Sequence, residues 1–139
     1  MTRINVIPPE DLATEHLVAE YRELPRVFKL AIAAKRREFT DPSAMWLPKT
    51  YTLGPGHVKF FYDKLEFCAR RHNQLRQEMK RRGFKCNLPP VEALLIEAPK
   101  DLRGDYEPTP EARTLNRIRI EQRLSESKSR KKEKLIERK

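Results

Sequence analysis

The sequence has few cysteines and glycines and no long hydrophobic run. Its 139 residues include 2 cysteines, Cys68 and Cys86, and 4 glycines. Two isolated cysteines supply neither a disulfide framework nor the roughly four ligands of a structural zinc or iron–sulfur site. With so little glycine, neither a Gly-rich phosphate loop nor a series of β-hairpins is indicated. No segment approaches the roughly 18 consecutive apolar residues of a membrane span.

Length and composition favour one small domain with a strongly charged surface. Hydrophobic residues make up 38% of the chain and charged residues 36%, so only a modest core can be buried. A length of 139 residues suits one domain and excludes a large α/β enzyme. The first residues lack the hydrophobic region of a signal peptide, and we expect an intracellular, cytoplasmic protein.

Positive charge is concentrated in two segments. The chain carries 30 Lys and Arg against 20 Asp and Glu, a formal net charge of +10. Residues 56–83 have 8 basic and 3 acidic residues and residues 117–139 have 10 and 4, whereas residues 1–55 nearly balance at 8 and 7. Such clustering is typical of proteins that bind a polyanion, with nucleic acid as the first candidate and an anionic membrane as the second. A solvated helix face and a basic tail would give the same composition.

The first predicted helix runs from about residues 11–14 to Phe39. Its apolar residues follow alternating three- and four-residue steps, as one buried helix face requires. Pro25 lies inside this helix and removes the amide that would bond the Tyr21 carbonyl, which predicts a kink about midway. Residues 40–56 are predicted to form an irregular connection.

Two further helices complete an all-α prediction with three main helices. An apolar stripe predicts the second helix from Val58 to a stop at Gly83, and a short helical turn is expected at 91–98. Thr109 as N-cap and Pro110 in the first turn begin the third helix. Residues 1–124 are predicted to form the domain and the lysine-rich residues 125–139 a frayed or disordered tail. The second helix is predicted to bear surface cations: Arg70, Arg71, Arg76, Lys80, Arg81 and Arg82.

The N-terminus offers a candidate nucleophile. Thr2 is a small residue, so removal of Met1 is expected to expose the Thr2 α-amino group. An α-amine has a pKa of about 8 against roughly 10.4 for lysine, so part of it is neutral at pH 7. Neutral amines attack electrophilic sugar carbons and form Schiff bases. Since almost every protein has an N-terminus, this feature alone predicts nothing.

A cluster of charged residues is predicted on the first helix. His16, Glu23 and Arg26 fall close to one face, with Arg22 beside them and Glu20 between His16 and Glu23. A carboxylate flanked by two cations suits an electrostatic or base role in a phosphate-lined site. An ion-paired, exposed helix face is the commoner explanation of such a cluster.

Several blocks of the sequence together resemble the phage pyrimidine-dimer DNA glycosylase family, also called endonuclease V. The blocks are MTRIN at residues 1–5, AEYRELPRVF at 19–28, GHV at 56–58, FFYDKLEF at 60–67, RGF at 82–84 and RGDY at 103–106. They run in register from residue 1 to about 124. The resemblance implies a compact domain of three helices, with an N-terminal arm threaded between the first two.

The resemblance also implies an enzyme of base excision repair. It would be an N-glycosylase for cyclobutane pyrimidine dimers and a lyase that cleaves the resulting abasic site by β-elimination, through an imine on the Thr2 α-amine. Glu23 would stabilise the cationic sugar and move protons. Contacts to DNA would come from Arg3, His16, Arg22, Arg26, Arg119 and Arg123. We expect a monomer that acts on double-stranded DNA containing dimers or abasic sites, without metal, cofactor or membrane.

The sequence departs from this family in two places. The phage relative ends in a tryptophan and tyrosines tied to dimer recognition, whereas residues 125–139 contain no aromatic residue. Glu15 stands where the phage protein has an amide, which adds negative charge near the expected DNA path. Two alternatives therefore stay open: a non-enzymatic protein that binds damaged DNA with the same fold, and a glycosylase and lyase for another base lesion.

Three further motifs are better explained by structure than by chemistry. Cys68 and His72 are spaced like helical metal ligands, but both lie on the apolar stripe and no further pair completes a site. Residues 103–105, an Arg-Gly-Asp tripeptide, are expected to form a structural loop. A capping or packing role suits His57 at least as well as a catalytic one.

Overall fold

The computed structural model describes residues 3–137, with side chains to residue 130. Five α-helices lie within these residues: α1 (Thr14–Glu23), α2 (Pro25–Arg37), α3 (Leu65–Arg81), α4 (Glu92–Glu97) and α5 (Pro110–Glu137). Short 3-10 turns lie at Pro9–Asp11, Pro42–Met45, Lys59–Phe61 and Lys100–Leu102. The described range contains no β-strand, and the all-α prediction is confirmed. None of its helices is long and apolar enough to cross a membrane.

The kink predicted at Pro25 separates α1 from α2. Leu24 keeps helical backbone angles and its amide donates to the Glu20 carbonyl at 2.9 Å. Pro25 is the first residue of α2 and has no amide to offer the Tyr21 carbonyl. His72 on α3 supplies the missing donor, since its Nε2 lies 3.0 Å from the Tyr21 oxygen. The predicted first helix is thus two helices, α1 and α2. At the break between them, the buried side chain of His72 bonds the Tyr21 carbonyl that the proline leaves without a donor.

The second main helix begins later than the apolar stripe predicts. The predicted start at Val58 is wrong: residues 59–61 form a 3-10 turn, and α3 begins at Leu65. Lys64 leaves the helical region, at φ −126° and ψ 40°, and pairs with Arg103 in an isolated bridge. The Gly104 carbonyl then accepts the amides of Glu66 and Phe67, so a segment distant in sequence caps α3.

Gly104 is needed where this segment meets the start of α3. Its amide donates to the Asp63 carbonyl at 3.0 Å, and a Cβ atom there would overlap that same oxygen. The flanking residues are also held: Arg103 donates to the carbonyls of Ile96 and Ala98, and Asp105 pairs with Arg70 at 2.7 Å. The Arg-Gly-Asp tripeptide is therefore a structural loop, as predicted.

The end of α3 follows the sequence closely. Gly83 has φ +88°, a conformation that L side chains rarely adopt. The amide of Phe84 donates to the Met79 carbonyl and that of Gly83 to the Lys80 carbonyl, the two bonds of a Schellman motif. The predicted stop at Gly83 is confirmed.

The chain forms two units, residues 3–107 and residues 108–137. The core of the first contains packed aromatic rings beside α3: Phe60, Phe61, Phe67 and Tyr106, with ring centroids 5.0 to 6.3 Å apart. The second unit is α5. Its predicted N-cap is confirmed, because the Thr109 hydroxyl accepts the Ala112 amide at 3.0 Å. The helix continues past Ser125 to Glu137, while the domain boundary at 124 and the fraying of residues 125–139 stay predictions.

Candidate active site

The N-terminal arm, residues 3–7, is seated inside the first unit. Ile4, Asn5, Val6 and Ile7 are all buried, and Arg3 is half-buried. Asn5 bonds a residue of α1 and Ile7 a residue of α3. An arm held between the first two main helices is what the resemblance implies. Thr2, the predicted nucleophile, lies outside the described residues, so the arm is defined up to the residue that follows it.

Two side chains from one loop hold both backbone groups of Ile4. The Ile4 amide donates to His57 Nε2 at 2.9 Å, and the Tyr51 hydroxyl donates to the Ile4 carbonyl at 3.4 Å. His57 Nδ1 lies 2.8 Å from the Thr52 carbonyl. A carbonyl only accepts and an amide only donates, so these partners assign the proton to Nδ1 and leave Nε2 as acceptor.

His57 is therefore a neutral, buried imidazole. Its side chain lies in the interior, and burial lowers its pKa from the ordinary value of 6.5. Burial likewise raises the pKa of the neighbouring Tyr51 phenol well above its usual range. Both groups keep their uncharged forms at neutral pH, which is the state that their bonds to Ile4 require. The packing role considered for His57 in the sequence is what the geometry supports.

A buried ion pair fixes the next residues of the arm. Glu20 on α1 and Arg71 on α3 are 1% and 3% exposed. Arg71 Nε and Nη2 donate to the two Glu20 oxygens at 2.8 and 3.0 Å, a bidentate pair. Asn5 donates to Glu20 at 2.8 Å, and Arg71 Nη1 donates to the Ile7 carbonyl. The arm, α1 and α3 thus share one hydrogen-bond network.

The position of Arg71 corrects the sequence prediction. It was placed among the surface cations of the second helix, but it is buried and engaged with Glu20. Its neighbours in that cluster also have internal partners. Arg82 donates to the carbonyls of Pro9, Glu10 and Leu12, Arg76 to that of Leu88, and Arg81 to the Glu78 carboxylate. Much of the charge of this helix therefore serves the fold.

The charged residues around the kink lie at the end of α1 and the start of α2. Glu23, the last residue of α1, is half-buried. Arg22 and Arg26, which lie on either side of Pro25 in the sequence, are exposed. The side chains of these three residues form no hydrogen bond or ion pair with any part of the chain that the structure describes. A half-buried carboxylate between two exposed guanidinium groups can face a cationic centre while the cations meet phosphates.

The remaining predicted site residues are distributed over both units. His16 is half-buried on α1, two turns before Glu23, and Arg3 is half-buried on the arm. Arg119, half-buried, and Arg123, exposed, are four residues apart on α5 in the second unit. Within the first unit, the arm therefore contacts the same helix, α1, that carries His16 and Glu23.

The buried network around the arm was missed by sequence reasoning. Glu20 was noted only as lying between His16 and Glu23, and Arg71 only as a surface cation. The spacing contains a signal for Arg71. It lies three residues after Cys68 and four before Leu75, which are both buried, so it falls on the apolar stripe of the helix. As for metals, no group of three or more His, Cys, Asp or Glu side chains that could hold an ion occurs in the described part of the chain.

One comparison with known proteins bears on this arrangement. A family model described as pyrimidine dimer DNA glycosylase matches residues 1–89 of the 139. The matched range contains the arm, α1, α2, the loop that holds Ile4 and all of α3. It ends before α5, where Arg119 and Arg123 lie.

Proposed function

The chain belongs to the pyrimidine dimer DNA glycosylase family, a family of DNA repair glycosylases, and from this we propose a bifunctional activity for it. The protein cleaves the glycosidic bond of one base of a cyclobutane pyrimidine dimer in double-stranded DNA and then cleaves the strand at the resulting abasic sugar as a lyase. It acts as a monomer, and abasic sites are substrates in their own right. The observation that supports the proposal is the seated arm: His57 accepts the Ile4 amide, and Asn5 bonds Glu20 of α1, the helix that bears Glu23.

The nucleophile is the α-amino group of Thr2 after removal of Met1. Ile4, two residues later, is fixed by bonds to both its amide and its carbonyl. An α-amine has a pKa near 8, so a substantial neutral fraction exists at physiological pH without deep burial. A neutral amine next to a held arm can reach a sugar carbon without the entropy loss of ordering a long side chain.

The chemistry proceeds by substitution and then elimination. The amine lone pair forms a bond to C1′ as the bond from C1′ to the base breaks, and the base leaves with that electron pair and takes a proton. The sugar ring opens as its oxygen is protonated, which leaves an imine between C1′ and the Thr2 nitrogen. Loss of a C2′ proton then expels the 3′ phosphate from C3′, and water releases the amine.

Glu23 acts where positive charge develops. Its carboxylate stabilises the oxocarbenium-like sugar during base loss and exchanges protons during imine formation and elimination. Arg22 and Arg26, exposed on either side of the kink, hold phosphates around the lesion with their planar guanidinium groups. Arg3 and His16 complete the DNA contacts of the first unit, and Arg119 and Arg123 contact the DNA backbone from the second.

Covalent trapping tests the proposal directly. Borohydride reduces an imine to a stable amine, so the protein should become fixed to abasic or dimer-containing duplex DNA through Thr2. A protein that retains Met1, or whose Thr2 amine is acetylated, should bind the same DNA without being trapped. Trapping at a lysine would contradict the Thr2 mechanism. Tight binding of dimer DNA with neither trapping nor cleavage of the glycosidic bond or the strand would support the alternative of a non-enzymatic damaged-DNA-binding protein.

A further inference from the structure

The loop of residues 51–57 holds the arm at Ile4, two residues after the proposed nucleophile. His57 accepts the Ile4 amide and Tyr51 donates to the Ile4 carbonyl. Neither bond belongs to a helix or a sheet, so the conformation of Ile4 depends on two side chains from 47 and 53 residues away. Residues 5–7 are held separately, through Glu20 and Arg71. The two attachments can therefore be broken independently.

His57 is itself fixed in orientation. Its Nδ1 donates to the Thr52 carbonyl at 2.8 Å, and its ring packs edge-on against Tyr51 and Phe61 at centroid distances of 5.5 and 5.8 Å. It is 2% exposed. Because the ring cannot turn without losing the Thr52 bond, the Nε2 lone pair stays directed at the Ile4 amide. An acceptor of this kind determines a position as well as stabilising the fold.

Chain geometry connects this contact to the start of the protein. Two residues span at most about 7 Å, so a fixed Ile4 amide confines the Thr2 nitrogen to a sphere of roughly that radius. Displacement of a reacting group by about 1 Å can lower a rate by about 100-fold. A small change in the orientation of Ile4 can therefore displace the Thr2 nitrogen far enough to change the rate of its attack on C1′.

We propose that His57 is a positioning residue for the N-terminal amine. It acts through the Ile4 amide and sets where the Thr2 nitrogen stands relative to the sugar. Tyr51 assists by holding the other backbone group of Ile4. This inference rests on the proposed function, since it requires the Thr2 amine to be the nucleophile.

The test separates positioning from folding and from DNA binding. His57→Leu removes the acceptor, His57→Gln offers an amide oxygen near the position of Nε2, and Tyr51→Phe removes the weaker bond. Leu102→Ala is the matched control, because Leu102 is equally buried but belongs to the turn of residues 100–102 and not to the loop or the arm. All proteins are compared at a temperature where melting curves show each one folded.

Two quantities are measured for each protein. One is the rate constant of borohydride trapping at saturating abasic duplex; the other is the Kd for a duplex with a reduced, non-reactive abasic sugar. We expect His57→Leu to slow trapping by about 10- to 100-fold with an unchanged Kd. His57→Gln should recover most of the rate, Tyr51→Phe should lose less than His57→Leu, and Leu102→Ala should trap at the parent rate.

The outcomes distinguish this inference from the proposed function. A parent protein trapped at Thr2 together with a His57→Leu protein trapped equally fast would overturn the positioning role alone. The same holds if Leu102→Ala slows trapping as much as His57→Leu, or if His57→Gln recovers nothing. A parent protein that is not trapped through Thr2 overturns the proposed function and, with it, this inference.

Discussion

Two carboxylates one turn apart on α1, Glu20 and Glu23, both have arginines nearby and are used differently. Glu20 is 1% exposed and forms a bidentate pair with Arg71 of α3. Glu23 is half-buried near Arg22 and Arg26 in the sequence, and these side chains make no ion pair within the described residues. One carboxylate is fully used by the fold, and the other has no internal partner there.

The difference teaches that local sequence does not decide which charge is structural. Glu20 and Glu23 are three residues apart on one helix, and each has an arginine within three positions. What separates them is Arg71, 51 residues beyond Glu20, which reaches Glu20 through the interior and binds the arm as well. A buried charge is stable only when paired and hydrogen-bonded. Both carboxylate oxygens of Glu20 are engaged by Arg71 and Asn5, so Glu20 has a structural role.

The largest effect should follow from breaking the buried pair. Arg71→Met leaves Glu20 buried without its cation and should lower the free energy of unfolding by about 3–5 kcal/mol. Urea denaturation measures it. Arg70→Met is the matched control one position away, because its pair with Asp105 is about half exposed and should contribute less than about 1 kcal/mol. Equal losses in the two variants would contradict the distinction between the buried ion pair and the exposed one.

At the second carboxylate, Glu23→Gln should remove activity and leave stability unchanged. Loss of one electrostatic group at a developing charge lowers turnover by about 100- to 1,000-fold, while binding of damaged DNA is retained. Glycosylase turnover, DNA binding and melting temperature are measured together. Glu10→Gln, an exposed carboxylate outside the site, is the control. A Glu23→Gln protein with parent turnover would exclude a catalytic role for that residue.

The kink between α1 and α2 can be tested by a double-mutant cycle. His72→Leu leaves the buried Tyr21 carbonyl without a donor and should cost about 1–3 kcal/mol. Pro25→Ala restores a backbone amide to that carbonyl, so His72→Leu should cost less in the Pro25→Ala background. Denaturation of the four proteins gives the coupling energy. Additive losses would show that the His72 bond does not compensate for the proline.

The buried histidines predict a stability that depends on pH. Burial lowers the pKa of His57 and His72 from 6.5, so between those lowered values and about 6.5 the unfolded chain binds more protons than the folded one. Stability is then constant above about pH 6.5 and falls below it, by up to about 1.4 kcal/mol per pH unit for each histidine.

Denaturation between pH 5 and 8 measures this slope in the parent and in His57→Gln and His72→Gln. The charges acting on His57 are Arg3 and Glu20, and those acting on His72 are Arg76, Glu20 and Glu92. Each substitution should remove part of the slope. A parent slope that survives both substitutions would assign it to other groups.

The smallest effect concerns charges in the second unit. Arg119→Ala and Arg123→Ala should each lower the slope of log K against log salt for DNA binding by about 1. Lys35→Ala serves as control, since Lys35 is paired with Glu38 and Asp101. Slopes equal to that of the parent would remove these arginines from the DNA contacts.

Features set by local chemistry could be predicted from the sequence. Pro25 predicts the break between α1 and α2, because a proline within a helix interrupts its hydrogen bonds. Gly83 predicts the end of α3 through its left-handed backbone, and Thr109 with Pro110 predicts the start of α5. The start of α3 could not be predicted, because the apolar stripe begins at Val58 while the cap comes from Gly104. Arg71 was misplaced for the same reason: its partners Glu20 and Ile7 are distant in sequence, and only the fold brings them together.

The candidate site divides in the same way. Residue types and order indicated Thr2, Glu23 and the flanking arginines through a resemblance, and the family match over residues 1–89 now supports that family. The loop that holds the arm could not be foreseen, because nothing in the sequence around His57 or Tyr51 points to Ile4. Long-range bonds to backbone groups leave no periodic trace in either segment.

The bond between His72 and the Tyr21 carbonyl predicts that positions 25 and 72 depend on each other in evolution. A proline at position 25 leaves the Tyr21 carbonyl without its helical donor, and the side chain at position 72 supplies another. Among relatives that keep the proline, position 72 should vary only among side chains that can donate a hydrogen bond. Relatives that lose the proline should be free to place an aliphatic residue there, so the two positions should change together over evolution.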